Sequence, residues 1–92
     1  MNETQMLIGS LSNDLFRVAS LTQRGSIKGA MRFFEEAKRW SVQLGDKQVE
    51  PYIRNIVNQI NLASTHDLSL ETAEKCLMYG VLLQNYSARN YR

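Results

Sequence analysis

The segment from Cys76 to Leu83 constrains the fold of this chain more than any other feature of its sequence. Its eight residues, Cys-Leu-Met-Tyr-Gly-Val-Leu-Leu, are apolar at almost every position and lie inside a longer pattern that predicts a helix. Because an α-helix completes a turn in about 3.6 residues, such a segment points apolar side chains in every direction. The helix therefore needs cover on several sides, either from its own bundle or from a second copy of the chain.

Length and composition indicate one small helical domain that covers residues 1–92. A chain of 92 residues is too short for two hydrophobic cores of ordinary size. Its hydrophobic fraction of 43% and charged fraction of 22% are ordinary for a globular protein. Five glycines and one proline are too few for a loop-rich β fold. We therefore expect an all-α fold, a compact four-helix bundle with an up-and-down order.

Hydrophobic periodicity and capping residues predict the bounds of the four helices. A polar residue suited to the N-cap position precedes the first, second and fourth predicted helices. The third helix begins with a proline, which suits the first helical position. Gly25 suits the left-handed residue that ends the first helix and leaves only a tight turn before the second. The predicted helices are 3–24, 27–44, 51–64 and 70–87, with the boundary residues Asn2, Gly25, Ser26, Pro51 and Ser69. Beyond Ser87 we expect a frayed tail.

The first three helices differ in how their apolar residues are distributed. In the first, Asp14 and Arg17 fall opposite the apolar stripe, so we expect both to face solvent. In the second, the apolar arc spans about 200°, twice the width that one packing partner requires, which predicts a central or interface position. The third carries a single narrow stripe of Ile53, Ile56, Val57 and Ile60.

The fourth helix carries two apolar stripes, and we therefore expect it to contact more than one neighbour. The first stripe, expected in the core, is Leu70, Ala73, Leu77, Gly80 and Val81; the second is Met78, Leu82 and Tyr86. Gly80 lowers helix stability by about 1 kcal/mol relative to alanine. Its expected role is to let another helix approach closely.

The residue types of enzyme active sites are sparse, and we predict a non-enzymatic protein without a cofactor or metal ion. The one histidine, His66, lies in a predicted polar loop, and the one cysteine, Cys76, lies in the apolar segment. A catalytic nucleophile needs a positioned base beside it, and a zinc site needs paired ligands at short spacing. No glycine-rich segment has the spacing of a phosphate-binding loop.

Cysteine content and hydropathy predict a cytoplasmic protein that does not enter a membrane. A single cysteine cannot form an intramolecular disulfide, which is typical of a reducing compartment, and we expect Cys76 to act as a small core residue. The N-terminal residues are polar, so we expect no signal peptide. No apolar run reaches the roughly 20 residues that span a bilayer.

Surplus apolar residues on two helices predict a protein–protein interaction surface. The candidate contact residues are Phe33 and Trp40 of the second helix and Met78, Leu82 and Tyr86 of the fourth. Aromatic residues and methionine are enriched in interface cores, although the same residues also fill the cores of single chains. The preferred hypothesis is an interaction or regulatory module whose partner is itself, as a homodimer through these two helices, or another protein.

A basic face on the second helix supports an alternative function in nucleic-acid binding. Residues 17–47 hold seven basic and three acidic residues, and the candidate contacts are Arg24, Lys28, Arg32 and Arg39. Clustered basic side chains bind phosphates by releasing counterions. Glu35 and Glu36 interrupt the face, and the four-residue spacing of Glu35 and Arg39 is typical of a surface ion pair. The interaction module is therefore the preferred hypothesis.

Overall fold

The computed structural model of this protein describes residues 2–66 and 68–90, and these residues form four α-helices and no strand. The helices are α1 (Glu3–Gln23), α2 (Ile27–Gln43), α3 (Pro51–Leu62) and α4 (Leu70–Asn90), with a 3₁₀ turn at Leu44–Asp46 after α2. The all-α prediction is confirmed, and all four predicted helix starts agree with the structure. The predicted helix ends differ from the observed ends by one to three residues.

Local contacts explain why the helix starts were predictable. The Asn2 side chain accepts a hydrogen bond of 2.7 Å from the Gln5 N–H, and the Ser69 hydroxyl accepts one of 3.2 Å from the Thr72 N–H. Both bonds satisfy an N–H group that the first turn of a helix leaves without an intrahelical partner. Pro51 stands in the first turn of α3, where a missing N–H carries no penalty.

The connection between α1 and α2 is a tight turn closed by backbone hydrogen bonds. Gly25 has a φ of 81°, in the left-handed region, as its place in the sequence predicts. Its N–H donates to the Thr22 carbonyl at 3.1 Å, and the Ser26 N–H donates to the Leu21 carbonyl at 2.8 Å. This pairing is a Schellman motif, which satisfies the last carbonyls of α1. Ser26 stands at the N-cap position of α2, but its side chain makes no capping hydrogen bond within the described chain.

α1 is the central helix of the bundle, so of the two positions expected for α2, central or at an interface, the central one is wrong. α1 packs against both α2 and α4, whereas α3 contacts α2 more than it contacts α4. α2 buries the middle of its wide apolar arc and leaves two residues of that arc, Ile27 and Val42, exposed. The core residues that α1 supplies are Leu7, Ile8, Leu11, Leu15, Val18 and Ala19.

α3 packs on the bundle through one narrow face, as predicted. Its four buried residues are Ile53, Ile56, Val57 and Ile60. The Lys38 ammonium of α2 donates hydrogen bonds to the carbonyl of Asn61, at 3.3 Å, and to that of Ala63, where α3 ends. A cation at this end satisfies carbonyls that lack intrahelical partners and interacts favourably with the helix dipole.

α4 continues to Asn90, beyond its predicted end at residue 87. Tyr86 is buried in the core, and the Asn90 side-chain amide donates a hydrogen bond of 3.0 Å to the Tyr86 carbonyl. Tertiary packing of this kind stabilises helical turns that local propensity leaves marginal. The expectation of a frayed tail is therefore wrong through Asn90, while Tyr91 and Arg92 lie outside the described residues.

The face of α4 that packs against the bundle cuts across both predicted stripes. Its buried residues are Ala73, Cys76, Gly80, Leu83 and Tyr86. Leu70, Leu77 and Val81, which the sequence pattern places in the core with Gly80, are exposed instead. Because the middle of α4, from Cys76 to Leu83, is apolar on nearly every side, this segment allows several rotations about the helix axis, and packing selects one of them.

The contact of Gly80 with α1 selects that rotation. A Cβ atom added to Gly80 would lie 2.9 Å from Cε1 of Phe16 and 3.1 Å from its Cδ1. The Ser12 hydroxyl, one turn away on the same face of α1, donates a hydrogen bond of 2.8 Å to the Gly80 carbonyl. The prediction that Gly80 permits the close approach of another helix is confirmed.

We expect Gly80→Ala to destabilise the protein and Gly9→Ala to stabilise it, although both replace a glycine inside a helix. Alanine gains about 1 kcal/mol of helix propensity at either site. A Cβ at Gly9 meets nothing within 4 Å, whereas a Cβ at Gly80 displaces the Phe16 ring. Overpacking of this kind costs about 1–3 kcal/mol. Chemical denaturation of the two variants measures the difference.

Phe16→Leu is the control for this comparison. In that background the crowding at Gly80 is relieved, so Gly80→Ala should become stabilising. If both glycine substitutions stabilise the unmodified chain equally, the Phe16 contact does not limit the approach of the two helices.

Candidate protein-interaction surface

The outward face of α4 carries a contiguous group of apolar side chains. Leu77, Met78, Val81 and Leu82 are 44%, 51%, 42% and 38% exposed, respectively. Residues spaced three and four apart are neighbours on a helix surface, so the four side chains form one patch, which we call the α4 patch. Large contiguous apolar patches on proteins in general mark interaction sites, whereas scattered apolar residues are ordinary on protein surfaces.

The packing of α4 on the bundle determines the outward direction of the α4 patch. On the opposite side of the helix, Cys76, Gly80 and Leu83 are buried. A rotation that buried the α4 patch would expose these residues and would remove the contact of Gly80 with Phe16. The exposure of the α4 patch is therefore a consequence of core packing.

Charged residues border the α4 patch at both ends. Glu71 and Glu74 lie on its N-terminal side and Arg89 on its C-terminal side, and all three are exposed. Glu71 also forms an exposed ion pair with Lys75 in its own helix, at 3.7 Å. The α4 patch therefore has an apolar centre and a polar rim, the arrangement found at protein interfaces.

Two of the three contact residues predicted on α4 lie in the α4 patch, and the third does not. Met78 and Leu82 are exposed, whereas Tyr86 is 6% exposed and belongs to the core. The Tyr86 ring packs edge-on against the ring of Tyr52, with 6.0 Å between their centres and 86° between their planes. Tyr86 is therefore a core residue, which corrects its prediction as a contact residue.

Sequence reasoning missed Leu77 and Val81 as surface residues. Both have helical spacing with Gly80, so the apolar pattern alone places them in the core. A second signal was present, because Glu74 and Asn85 lie three or four residues from members of the α4 patch and share its face. Polar residues on that face indicate that it points outward.

The two aromatic residues predicted as contacts on α2 interact within the chain. Phe33 and Trp40 are partly buried and pack against the core. The Trp40 Nε1–H donates a hydrogen bond of 2.9 Å to Oδ2 of Asp14. The Arg17 guanidinium lies over the Phe33 ring, 5.1 Å from its centre, within cation–π distance. Both rings therefore contribute to the packing of α2 on α1.

Asp14 is buried where α1 meets α2, so the prediction that it faces solvent is wrong. Burial raises the pKa of its carboxyl above the ordinary value, and the hydrogen bond from Trp40 opposes this shift. The charge of Glu36 raises the pKa further, whereas Arg17, at 3.4 Å, lowers it. The prediction failed because α1 is the central helix, so α2 covers its polar side as well.

The four basic residues of the alternative hypothesis are all on the surface: Arg24, Lys28, Arg32 and Arg39. None of them forms an ion pair with another residue of the described ranges, and the expected pair of Glu35 with Arg39 is not formed. Arg32 and Arg39 line a surface depression together with Glu35 and Glu36. The charge of this face is therefore mixed.

The chain's histidine and cysteine lie in different environments. Burial raises the pKa of the Cys76 thiol to about 11, so the thiol stays protonated at neutral pH, and its predicted place in the core is confirmed. His66 is exposed in the loop before α4. Across residues 2–66 and 68–90, no three His, Cys, Asp or Glu side chains are placed to hold a metal ion together.

Comparison of this chain with protein-family models, with curated proteins and with solved structures finds no match. Within the part of the chain that the structure describes, no helix combines the length and the apolar character that crossing a bilayer requires. The function is therefore inferred from the chemistry of the chain's own surface.

We expect Asp14→Ala to lower the free energy of unfolding by about 1–3 kcal/mol, because it leaves the Trp40 N–H without its acceptor. Asp14→Asn keeps an acceptor oxygen and removes a buried charge, so its effect should be much smaller. Urea denaturation measures both variants. Trp40→Phe removes the donor, so in that background the difference between the two Asp14 variants should shrink. Equal losses from alanine and asparagine beside an intact Trp40 would show that the hydrogen bond contributes nothing.

The raised pKa of Asp14 also predicts a dependence of stability on pH. As the pH rises from the ordinary carboxyl pKa to the raised value, the unfolded chain releases this proton before the folded chain does. The folded state therefore loses stability across that window relative to lower pH. Asp14→Asn lacks this titration, so it should gain stability relative to the unmodified chain as the pH rises. A difference that is constant between about pH 3 and 7 would show that Asp14 titrates normally.

Proposed function

We propose that this protein is a non-enzymatic interaction module of the cytoplasm that binds a helix of a protein partner through the α4 patch. The observation that carries the proposal is the α4 patch itself, four neighbouring apolar side chains held outward on a long helix. The preferred partner is a second copy of the chain, so that the module acts as a homodimer. The buried, protonated thiol of Cys76 supports a role without covalent catalysis.

Covering the α4 patch would remove apolar surface from water and so favour association. Full burial of an aliphatic side chain contributes about 1.5–3 kcal/mol, and each residue of the patch is roughly half exposed, so covering all four contributes about 3–6 kcal/mol per chain. Lost rotational freedom and side-chain ordering oppose this gain. A partner with an apolar face of its own doubles the gain, and a second copy of the chain supplies such a face.

The proposed interface lies on α4 and does not include the aromatic residues of α2. Trp40 already binds Asp14, and Phe33 already stacks with Arg17. A Trp40→Asp substitution would place a second carboxylate beside the buried Asp14, so it would test folding rather than association. Substitutions in the α4 patch avoid this difficulty, because the patch is exposed.

The proposed order of the four helices is up-and-down, and contacts between distant residues support it. α1 and α2 are joined by a tight turn, and Trp40, near the end of α2, reaches back to Asp14 in the middle of α1. Tyr86, near the end of α4, contacts Tyr52 at the start of α3. Both contacts are expected if neighbouring helices run in opposite directions, and they support this order.

Site-specific photo-crosslinking tests the α4 patch as a binding surface. With the photoreactive residue p-benzoylphenylalanine in place of Met78, we expect a covalent adduct with a protein in an extract of the native cells, because an apolar partner helix covers this position. The matched control carries the same residue in place of Leu62, which is 83% exposed at the end of α3 and lies outside the α4 patch. The control should give little adduct.

Val81→Asp makes the crosslinking test sharper. Because Val81 is exposed, this substitution should leave the circular dichroism spectrum unchanged. It places a charge inside an apolar contact, so it should remove the adducts formed from position 78. Adducts that persist in this variant, or that form equally from position 62, would contradict the proposal.

The second candidate function is nucleic-acid binding by the basic residues around α2. The observation that favours it is that these residues are exposed and have no ion pair within the described ranges: Arg24, Lys28, Arg32 and Arg39. Basic side chains with no acidic partner are available to phosphates. Glu35 and Glu36 on the same face reduce the local positive charge, and for this reason the function ranks second.

Fluorescence anisotropy with labelled duplex DNA tests the second candidate. The affinity should fall steeply with salt, and the pair Arg32→Ala and Arg39→Ala should reduce the slope of log affinity against log salt by about two, if each contacts one phosphate. Lys75→Ala, which removes an exposed lysine from α4, is the matched control and should leave the slope unchanged. An absence of binding at low salt, or a flat salt dependence, would exclude this function.

A further inference from the structure

The α4 patch lies at the centre of its helix. Its four residues are centred between Tyr79 and Gly80, and Gly80 is the midpoint of α4 (Leu70–Asn90). Two copies of α4 that cross at this point bring patch against patch, whichever way the two helices run. The residues on either side of the patch therefore decide the relative direction of the helices.

Glu71 and Arg89 lie on the same line along α4 as two residues of the α4 patch. Glu71, Met78, Leu82 and Arg89 are separated by steps of seven, four and seven residues, and each step is close to a whole number of helical turns. At about 1.5 Å per residue, Glu71 lies about 13 Å before the centre of the patch and Arg89 about 14 Å after it. An acidic and a basic side chain therefore flank the patch at nearly equal distances.

We infer that the α4 patch is covered by the α4 patch of a second copy of the chain, with the two α4 helices antiparallel across a two-fold axis near Gly80. In this arrangement Glu71 of each protomer lies beside Arg89 of the other, so the pair occurs twice, as two-fold symmetry requires. The inference rests on the proposed function of this surface and adds the direction of the helices and the charges that select it.

The remaining acidic residue at the rim of the patch favours the same direction. In the antiparallel pair, Glu74 of one protomer faces the neutral Asn85 of the other. In a parallel pair each residue lies at the same height along the helices as its own copy. The Glu71 and Glu74 side chains of both protomers would then gather at one end of the pair, and both Arg89 side chains at the other. Charges that flank an apolar seam set the direction and partner of paired helices in this way. Antiparallel helix dipoles also place opposite partial charges at each end of the pair.

Sedimentation velocity on the full chain, from about 1 µM to about 1 mM, tests the inference. Glu71→Arg and Arg89→Glu each place like charges together at both ends of the antiparallel pair, and each should raise the dimer dissociation constant about tenfold at low salt. The combined variant, E71R with R89E, restores opposite charges and should return the constant to that of the unmodified chain. These differences should shrink at high salt, because exposed ion pairs are screened.

Two controls accompany the charge exchange. Glu35→Arg makes the same charge change on an exposed position of α2 and should leave the dissociation constant unchanged. Glu71→Arg also removes the contact of Glu71 with Lys75 in its own helix. The combined variant also lacks the contact with Lys75. Recovery of the dimer in that variant therefore comes from the contact between protomers. Circular dichroism confirms that each variant keeps its helices.

The outcomes separate this inference from the proposed function. If the single variants weaken the dimer and the combined variant does not restore it, the antiparallel pairing is overturned. The α4 patch then remains the proposed binding surface. A chain that stays monomeric throughout overturns self-association, and crosslinking of another protein at position 78 would then still support the proposed function. A dimer that Val81→Asp does not weaken uses a different surface and overturns the inference, together with the homodimer proposed above.

Discussion

The packing of Phe16 on Gly80 is the contact on which the rest of this structure depends. The middle of α4, from Cys76 to Leu83, is apolar on nearly every side, so hydrophobic burial of this segment alone does not select one of its faces for the core. The missing Cβ lets the Phe16 ring approach to a distance that any other residue would prevent, and the hydrogen bond from Ser12 holds the same turn. This contact sets the rotation of α4, and the rotation directs Cys76 inward and the α4 patch outward.

The central position of α1 has a second consequence, the buried contact of Asp14 with Trp40. A carboxyl group on a helix that is covered from two sides loses its water and needs a hydrogen-bond donor, which the indole N–H supplies. The same bond draws Trp40 into the packing of α2 on α1. The aromatic flank of α2, which the sequence offers as an interaction surface, is therefore used within the chain. For this reason the proposed interface lies on α4.

Features that depend on local contacts were predictable from the sequence. The side chains of Asn2 and Ser69 bind N–H groups of their own helices, and Gly25 adopts a left-handed conformation that other residues rarely adopt. The stripe of α3 was predictable because one narrow apolar face has only one way to be buried. The helix ends were less predictable, since α4 reaches Asn90 through the burial of Tyr86, which depends on residues far away in the sequence.

By itself the sequence determined an all-helical chain, the four helix starts and the excess of apolar side chains on the last helix, because capping, periodicity and composition act between neighbouring residues. The candidate site was only half predictable. Met78 and Leu82 are exposed as the sequence indicates, whereas Leu77 and Val81 join them unexpectedly and Tyr86 is buried. Only the tertiary structure decided which apolar residues face outward, because exposure depends on how helices distant in sequence pack together. The close contact of Gly80 with Phe16 is one part of that packing.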